Sequence, residues 1–451
     1  MRQTLRFEVV NTTPTLKRTL GVFDGIGLLV GITIGAGIYS TPQIIAGYLN
    51  SFSIVLMLWI GVAVFVYVGS LIYAELGSRF PETGGEYVYI QKAFGPFWGF
   101  LFGWAQLFII RTSPAAGLSL VTANYIGYFV DLNQSEKIIV ALVVLALFGA
   151  LNVVGVTRAS FYNKLSSVVK IGGLALLAVI GIVLLGDEGD LLGRTATPTA
   201  TLGPIGNVVA ALMLVLFSYI GWDRVGYVAG EMKNPRKVIP FSMFIGMGII
   251  IALYLLMNTL YHSTLGIEAM RGSTIVASEA AVKILGSAGA GVISLLVIVS
   301  ATGSINGTIM SASRVYYAMA QDGLIFKWLD YIHPKYQTPT HAIIAHCVWG
   351  AMILIIRGTF ETIAAGMVFA ILIFYTFTTV ALFKFRREKV GSADAYEIPG
   401  FPLLPAIYLL GIVTLVCLRG YYEWEKSAQD LAFVLTGIPV YFLWFKARSS
   451  T

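Results

Sequence analysis

The sequence predicts an all-α integral membrane protein that crosses the bilayer about twelve times. The first observation behind this is composition: 57% of the 451 residues are hydrophobic and only 12% are charged, whereas soluble chains carry about twice that charged fraction. The second is segment length. Most apolar stretches exceed the ~20 residues that a helix needs to cross a hydrocarbon core, and short polar punctuation separates them. The third is charge asymmetry. With the N-terminus placed in the cytosol, nineteen of the thirty Lys and Arg fall in inner segments, seven in outer ones and four within helices, as expected when basic loops stay cytoplasmic.

In order, the spans are placed near residues 20–47, 52–77, 97–129, 138–155, 162–186, 205–231, 238–262, 287–320, 340–356, 362–383, 403–420 and 428–445. No apolar core with a small-residue cleavage site precedes the first span, so no cleavable signal peptide is expected. Both termini are therefore predicted to be cytoplasmic, in a multi-pass protein of the cell (inner) membrane. The net charge of +7 is spread over loops and tails in the way topology alone produces, so nucleic acid is not an expected partner; membrane lipid is. Cys347 and Cys417 both lie in predicted spans and read as small buried thiols. No Cys/His spacing points to a metal, and no cofactor is implied.

Glycine interrupts two spans in matching places. Span 1 breaks at "IGAGI" (34–38), and span 6, five spans later, breaks at "FSYIGWD" (217–223). Paired interruptions in corresponding helices of two halves point to an inverted-repeat transporter with a site near the midplane. The repeats would be 20–186 and 205–383, followed by two further spans in 403–445 and flanked by tails 1–19 and 446–451. Unwound backbone in hydrocarbon is tolerated only where it lines a cavity or meets a ligand. Gly35 and Gly37 allow close approach to the backbone. The N–H groups around Ala36, Gly37 and Ile38 form a positive helix end suited to a carboxylate. Freed carbonyls near Phe217, Ser218 and Ile220, beside Gly221, would face an ammonium. Together they describe a receptor for a zwitterion, most simply an amino acid.

The motifs around these breaks resemble the amino acid, polyamine and organocation transporter superfamily. "GITIGAGIYSTP" (31–42) is similar to its first-helix motif, and "FSYIGWDRVGYVAGEMKNPRKVIP" (217–240) to its sixth helix with the E-x-x-N-P signature at Glu231, Asn234 and Pro235. "LFIIRTS" (107–113), "GSINGTIMSASR" (303–314), "IHPKYQTP" (332–339) and "LTGIPVYFLW" (435–444) resemble the L-type amino acid transporter family within it. The resemblance spans residues 15–446. It implies a LeuT-like fold of twelve helices, a 5+5 inverted repeat with discontinuous helices 1 and 6, and alternating access. It also implies that the substrate carboxylate meets the backbone at Thr33, Ala36 and Gly37, that the amino group meets carbonyls of Thr33, Phe217 and Ile220, and that Phe217 and Trp222 close over the substrate.

By the same resemblance, Lys170 stands where sodium-coupled relatives hold an ion between helices 1, 5 and 8, so its ammonium would tie a Gly35 carbonyl or a hydroxyl of Ser300, Thr302 or Ser304 in place of sodium. On residues alone, Lys170 could equally snorkel to the surface. The chain departs from the family in three places: Ala36 stands where Ser is common, Thr112 follows Arg111 where Pro is common, and Asp223 replaces a neutral residue. Asp223 reads either as a counter-charge or coupling group or, beside Arg224, as half of a structural ion pair. Arg111 is expected to be buried against carbonyls or Asp223.

The leading expectation is a secondary transporter of neutral L-amino acids, working by sodium-independent exchange or proton-linked uptake, and not an enzyme. A cationic amino acid or polyamine carrier with Asp223 as counter-charge is the alternative. A channel or sensor is the distant one, since neither a pore-loop filter nor a charged ring is present. The loop 130–137 has no cysteine, so no disulfide-linked heavy chain is expected.

Overall fold

The computed structural model describes residues 20–35, 37–82, 84–184, 197–321 and 323–449. In chain order the helices are α1 (Val22–Thr33), α2 (Gly37–Tyr48), α3 (Phe52–Arg79), α4 (Glu86–Phe94), α5 (Pro96–Ala105), α6 (Thr112–Ile126), α7 (Gln134–Val154), α8 (Val156–Leu184), α9 (Gly203–Tyr219), α10 (Pro235–Thr264), α11 (Gly266–Gly272), α12 (Val276–Gln321), α13 (Thr340–Arg357), α14 (Phe360–Glu388), α15 (Leu403–Tyr422), α16 (Trp424–Leu435) and α17 (Gly437–Ser449). A π-helical turn, Gln106–Ile110, joins α5 to α6, and a 3-10 segment, Trp222–Glu231, follows α9. No strand forms among the described residues.

Among the described residues nine helical stretches are long and apolar enough to cross a membrane, and the bent pair α1–α2 makes a tenth. The two remaining predicted stretches, 97–129 and 428–445, are helical but interrupted. In the first, the extra residue of the π turn shifts the helical register, with Arg111 N–H bonding the Gln106 carbonyl at 2.9 Å. In the second, Pro439 cannot donate to the Leu435 carbonyl, and α16 stops at Leu435. Thr436 at this break accepts a hydrogen bond from Trp104 Nε1 at 3.0 Å. α12 runs through Gly286, whose φ of 73° marks a kink, so its apolar stretch starts where 287–320 was expected.

Several boundaries follow from local chemistry. Asn133 and Glu136 cap the start of α7 reciprocally, Thr359 caps α14, and α13 stops at Gly358 with φ 68°, in keeping with the preference for polar N-caps and glycine stops. Burial sorts the helices by place. In the most apolar part of Gly203–Tyr227, which holds α9, 78% of residues are buried, and in that of α14, 72%, against 22% for α15. α9 and α14 are therefore interior, and α15 shows most of its surface to the surroundings, including Cys417, which is exposed and not the buried thiol expected; Cys347 is half-buried against Gly149. α1 packs on α10, α2 on α9 and α11, and α8 on α12. These contacts bring the two interrupted spans together.

Candidate functional site

The first break is a tight turn with no left-handed residue among those described. Ile34 has φ −72° and ψ 88°, and Gly35 N–H bonds the Thr33 carbonyl at 2.8 Å, which is an inverse γ-turn. α2 then leaves at 42° to α1. Ala36 lies outside the described residues. Gly37 and Ile38 open α2 and are buried, so N–H groups of its first turn have no intrahelical acceptor. Pro42 lies inside α2 and cannot donate to the Ile38 carbonyl, which frees a further backbone group near the turn.

The second break depends on glycine. α9 stops at Tyr219, Ile220 is extended with ψ 137°, and Gly221 takes φ 130°, a conformation closed to residues with a Cβ except at a cost. The two breaks interlock. A Cβ on Gly37 would lie 2.7 Å from Ser218 Cα, and one on Gly221 would lie 2.9 Å from Thr33 Cα. Thr41 Oγ1 is 2.8 Å from Ser218 Oγ and 2.9 Å from the Gly37 carbonyl, and the Ser218 hydroxyl donates to the Leu214 carbonyl at 3.1 Å. Phe217 and Trp222 flank the second break on opposite sides: the Phe217 ring meets Phe360 at 5.3 Å, and the wholly buried Trp222 packs edge-on against Tyr73 at 4.7 Å and against Tyr375 at 5.4 Å.

A residue that sequence reasoning missed ties the breaks together. The Tyr254 hydroxyl, on α10, lies 2.9 Å from the Thr33 carbonyl and 2.8 Å from the Ser218 carbonyl. Its one proton serves one carbonyl at a time. Trp59 and Tyr219 pack around its ring at 5.7 and 5.1 Å, so the hydroxyl is held between the two unwound segments. In the sequence Tyr254 is one aromatic in an apolar run, and only a hydroxyl at mid-span hints at it.

Lys170 does not snorkel. It is 2% exposed, and its Nζ donates to Ser304 Oγ at 3.3 Å. Ser304 Oγ in turn is 3.7 Å from where a Cβ on Gly35 would stand, so a cation on α8, a hydroxyl on α12 and the first break are adjacent. Of the other two hydroxyls, Thr302 is engaged with Tyr162 and the Ile298 carbonyl, both at 2.6 Å. Ser300 is buried, and its hydroxyl neighbours that of Tyr39.

The amino acid permease family model matches residues 20–441. The chain belongs to that family. It is 29% identical over 442 residues to the serine/threonine exchanger SteT of Bacillus subtilis, covering 96% of this chain and 98% of that one. It is 28% identical to the b(0,+)-type amino acid transporter 1 of Homo sapiens, covering 96% and 88%. Against the large neutral amino acids transporter small subunit 2 of Rattus norvegicus, identity is 29% and coverage 95% and 81%. These relatives agree with the L-type motifs of the sequence. The protein is a multi-pass amino acid transporter and not an enzyme.

Beside its helix breaks the permease buries a charged cluster. Asp223 is 1% exposed and its carboxylate lies 3.5 Å from Arg224 Nε, the ion pair expected from their adjacency. Arg111 is buried close to Asp223, one of the two surroundings expected for it, and its Nε donates to Gln106 Oε1 at 2.7 Å. Arg111 and Arg224 both lie over the Tyr227 ring, at 4.8 and 5.7 Å. Tyr227 and Tyr73 hydroxyls donate to the two oxygens of Glu86. Burial pushes the Glu86 carboxyl, at the start of α4 and outside the spans, up to about 8, and the Asp223 charge adds to the shift. Gln106 and Glu86 reach this cluster from the π turn and from α4, which no local signal in the sequence connects to the sixth span.

Proposed function

We propose that this permease moves neutral L-amino acids by alternating access, without sodium, as an exchanger or a proton-linked carrier. The fold proposed is LeuT-like, with twelve transmembrane helices, repeats over 20–186 and 205–383, both termini cytoplasmic, and no disulfide-linked heavy chain. In this arrangement α1 is the inner half and α2 the outer half of a discontinuous first helix, and the protein resides in the cell membrane.

The substrate carboxylate is assigned to the N–H groups at the start of α2, at Ala36, Gly37 and Ile38, and the amino group to carbonyls of Thr33, Phe217 and Ile220. A helix N-terminus favours an anion, and carbonyls released from helical bonding favour a cation. Lys170 supplies a fixed positive charge beside Ser304 and Gly35, where a sodium ion would otherwise be needed. The observation that carries this reading is the interlock of the two breaks, because the freed backbone groups of both then converge on one small volume. Neutral side chains are favoured since Asp223, just past the second break, already faces Arg224 and Arg111. The relative named as a serine/threonine exchanger supports small neutral substrates first among candidates.

Uptake of radiolabelled serine into proteoliposomes, without sodium, tests the reading. Exchange predicts uptake stimulated several-fold by internal unlabelled serine; proton linkage predicts stimulation by an acid-outside gradient. Uptake that required sodium would sink the role given to Lys170. Competition by arginine or putrescine that vanished in Asp223→Asn would favour the cationic reading.

A further inference from the structure

The far end of α2 is held by elements that are not its sequence neighbours. A helix leaves its last carbonyls without intrahelical donors, and here other parts of the chain supply them. Arg271, in α11, donates from Nε to the Ala46 carbonyl at 2.7 Å and from Nη2 to the Leu49 carbonyl at 3.3 Å. The Gly47 carbonyl between them accepts from Thr199 N–H at 3.0 Å, Ala200 N–H at 3.3 Å and Thr199 Oγ1 at 3.2 Å. The Tyr48 hydroxyl donates to Glu361 at the start of α14. Three separate stretches of chain thus hold one end of one half-helix.

Among these contacts Arg271 differs in kind. Its cation meets the negative end of the α2 dipole, its bonds are charge-assisted, and one guanidinium bridges two carbonyls, so a single rotamer change releases both. The backbone contacts at Gly47 have no such freedom. α2 is 12 residues long and begins at the candidate site, so a tilt of α2 away from α11 that opened the site at this face would break the Arg271 bridge.

We propose that Arg271 is a positioning residue for transport: its guanidinium latches the outer half-helix α2 closed, and its release accompanies opening of the site to the outside. This rests on the transporter reading and orientation above. No substrate contact is assigned to Arg271; it acts through the tilt of α2.

The test is side-specific accessibility of the site. In a background with Cys347→Ala and Cys417→Ala, a single cysteine at Phe217→Cys reports on the site through its rate of reaction with a membrane-impermeant maleimide. Reaction is measured in proteoliposomes of resolved orientation, from each side, with and without serine. Arg271→Met loses both bonds and is expected to raise outside labelling at least about tenfold, the scale set by losing one charge-assisted bond. Arg271→Lys, which keeps the charge and one donor to a carbonyl, is expected to fall between Met and the parent. Monodisperse elution of each variant establishes that it is folded.

Outside labelling of folded Arg271→Met equal to the parent's would overturn the latch. So would equal rises in Lys and Met, since a merely structural loss of packing ignores the retained charge. A rise confined to the inside would overturn the orientation and leave the latch standing. Labelling that rose as expected but was never slowed by serine would count against the substrate reading alone.

Discussion

The two helix breaks do the same job by different means. In the first span the chain turns through Ile34 in a conformation open to any residue, and its glycines matter for the space around them. In the sixth span the turn itself needs Gly221 at φ 130°, and the same glycine also leaves room for Thr33. One break is made by packing, and the other by backbone conformation and packing together. The difference shows that a glycine in a broken membrane helix can be needed by its own φ, by a neighbour's backbone, or by neither.

Alanine substitutions sharpen this contrast, and three sites should rank in order. Gly221→Ala meets both penalties: a positive φ costs about 1–3 kcal/mol, and the 2.9 Å approach to Thr33 Cα adds overpacking of about 1–3 kcal/mol. It should give the largest fall in melting temperature in detergent and abolish serine exchange. Gly37→Ala carries only the second penalty, about 1–3 kcal/mol, because its close neighbour is Ser218 backbone. Adding Ser218→Gly removes Oγ and Cβ from the clash but leaves Cα, so melting temperature should recover in part. Full recovery would show that the side chain alone was in the way.

Gly35→Ala should be the mildest. The nearest atom to its new Cβ would be Ser304 Oγ at 3.7 Å, an ordinary contact, so stability should change by less than about 1 kcal/mol. A loss as large as that of Gly37→Ala would break the comparison and mean that the first turn, too, depends on glycine conformation. Binding of serine to folded Gly35→Ala then reports separately on whether a methyl group there obstructs the site.

Much of the architecture was legible in the sequence for a physical reason. Apolar length is a local property, and the nine continuous spans and the bent α1–α2 pair found among the described residues overlap stretches it marked, with the breaks at Ile34 and at Ile220–Gly221 falling inside the stretches quoted for them. The π turn at Gln106–Ile110 was not legible, because one extra residue in a helix leaves the apolar pattern nearly intact. Tyr254 was missed for a related reason: its hydroxyl becomes a bridge only when α10 lies beside both breaks. Ser300, Thr302 and Ser304 are alike as sequence, and packing alone makes Ser304 the partner of Lys170.

By itself, then, the sequence determined that this chain spans a membrane with helices, and where two of those helices must come apart, since hydropathy and glycine content act within a few residues. Tertiary structure decided which groups meet: Gly37 with Ser218, Gly221 with Thr33, Lys170 with Ser304, and Arg271 with the end of α2. Those pairings join segments far apart in the chain, and their strength depends on distances of a few ångströms that no local pattern encodes.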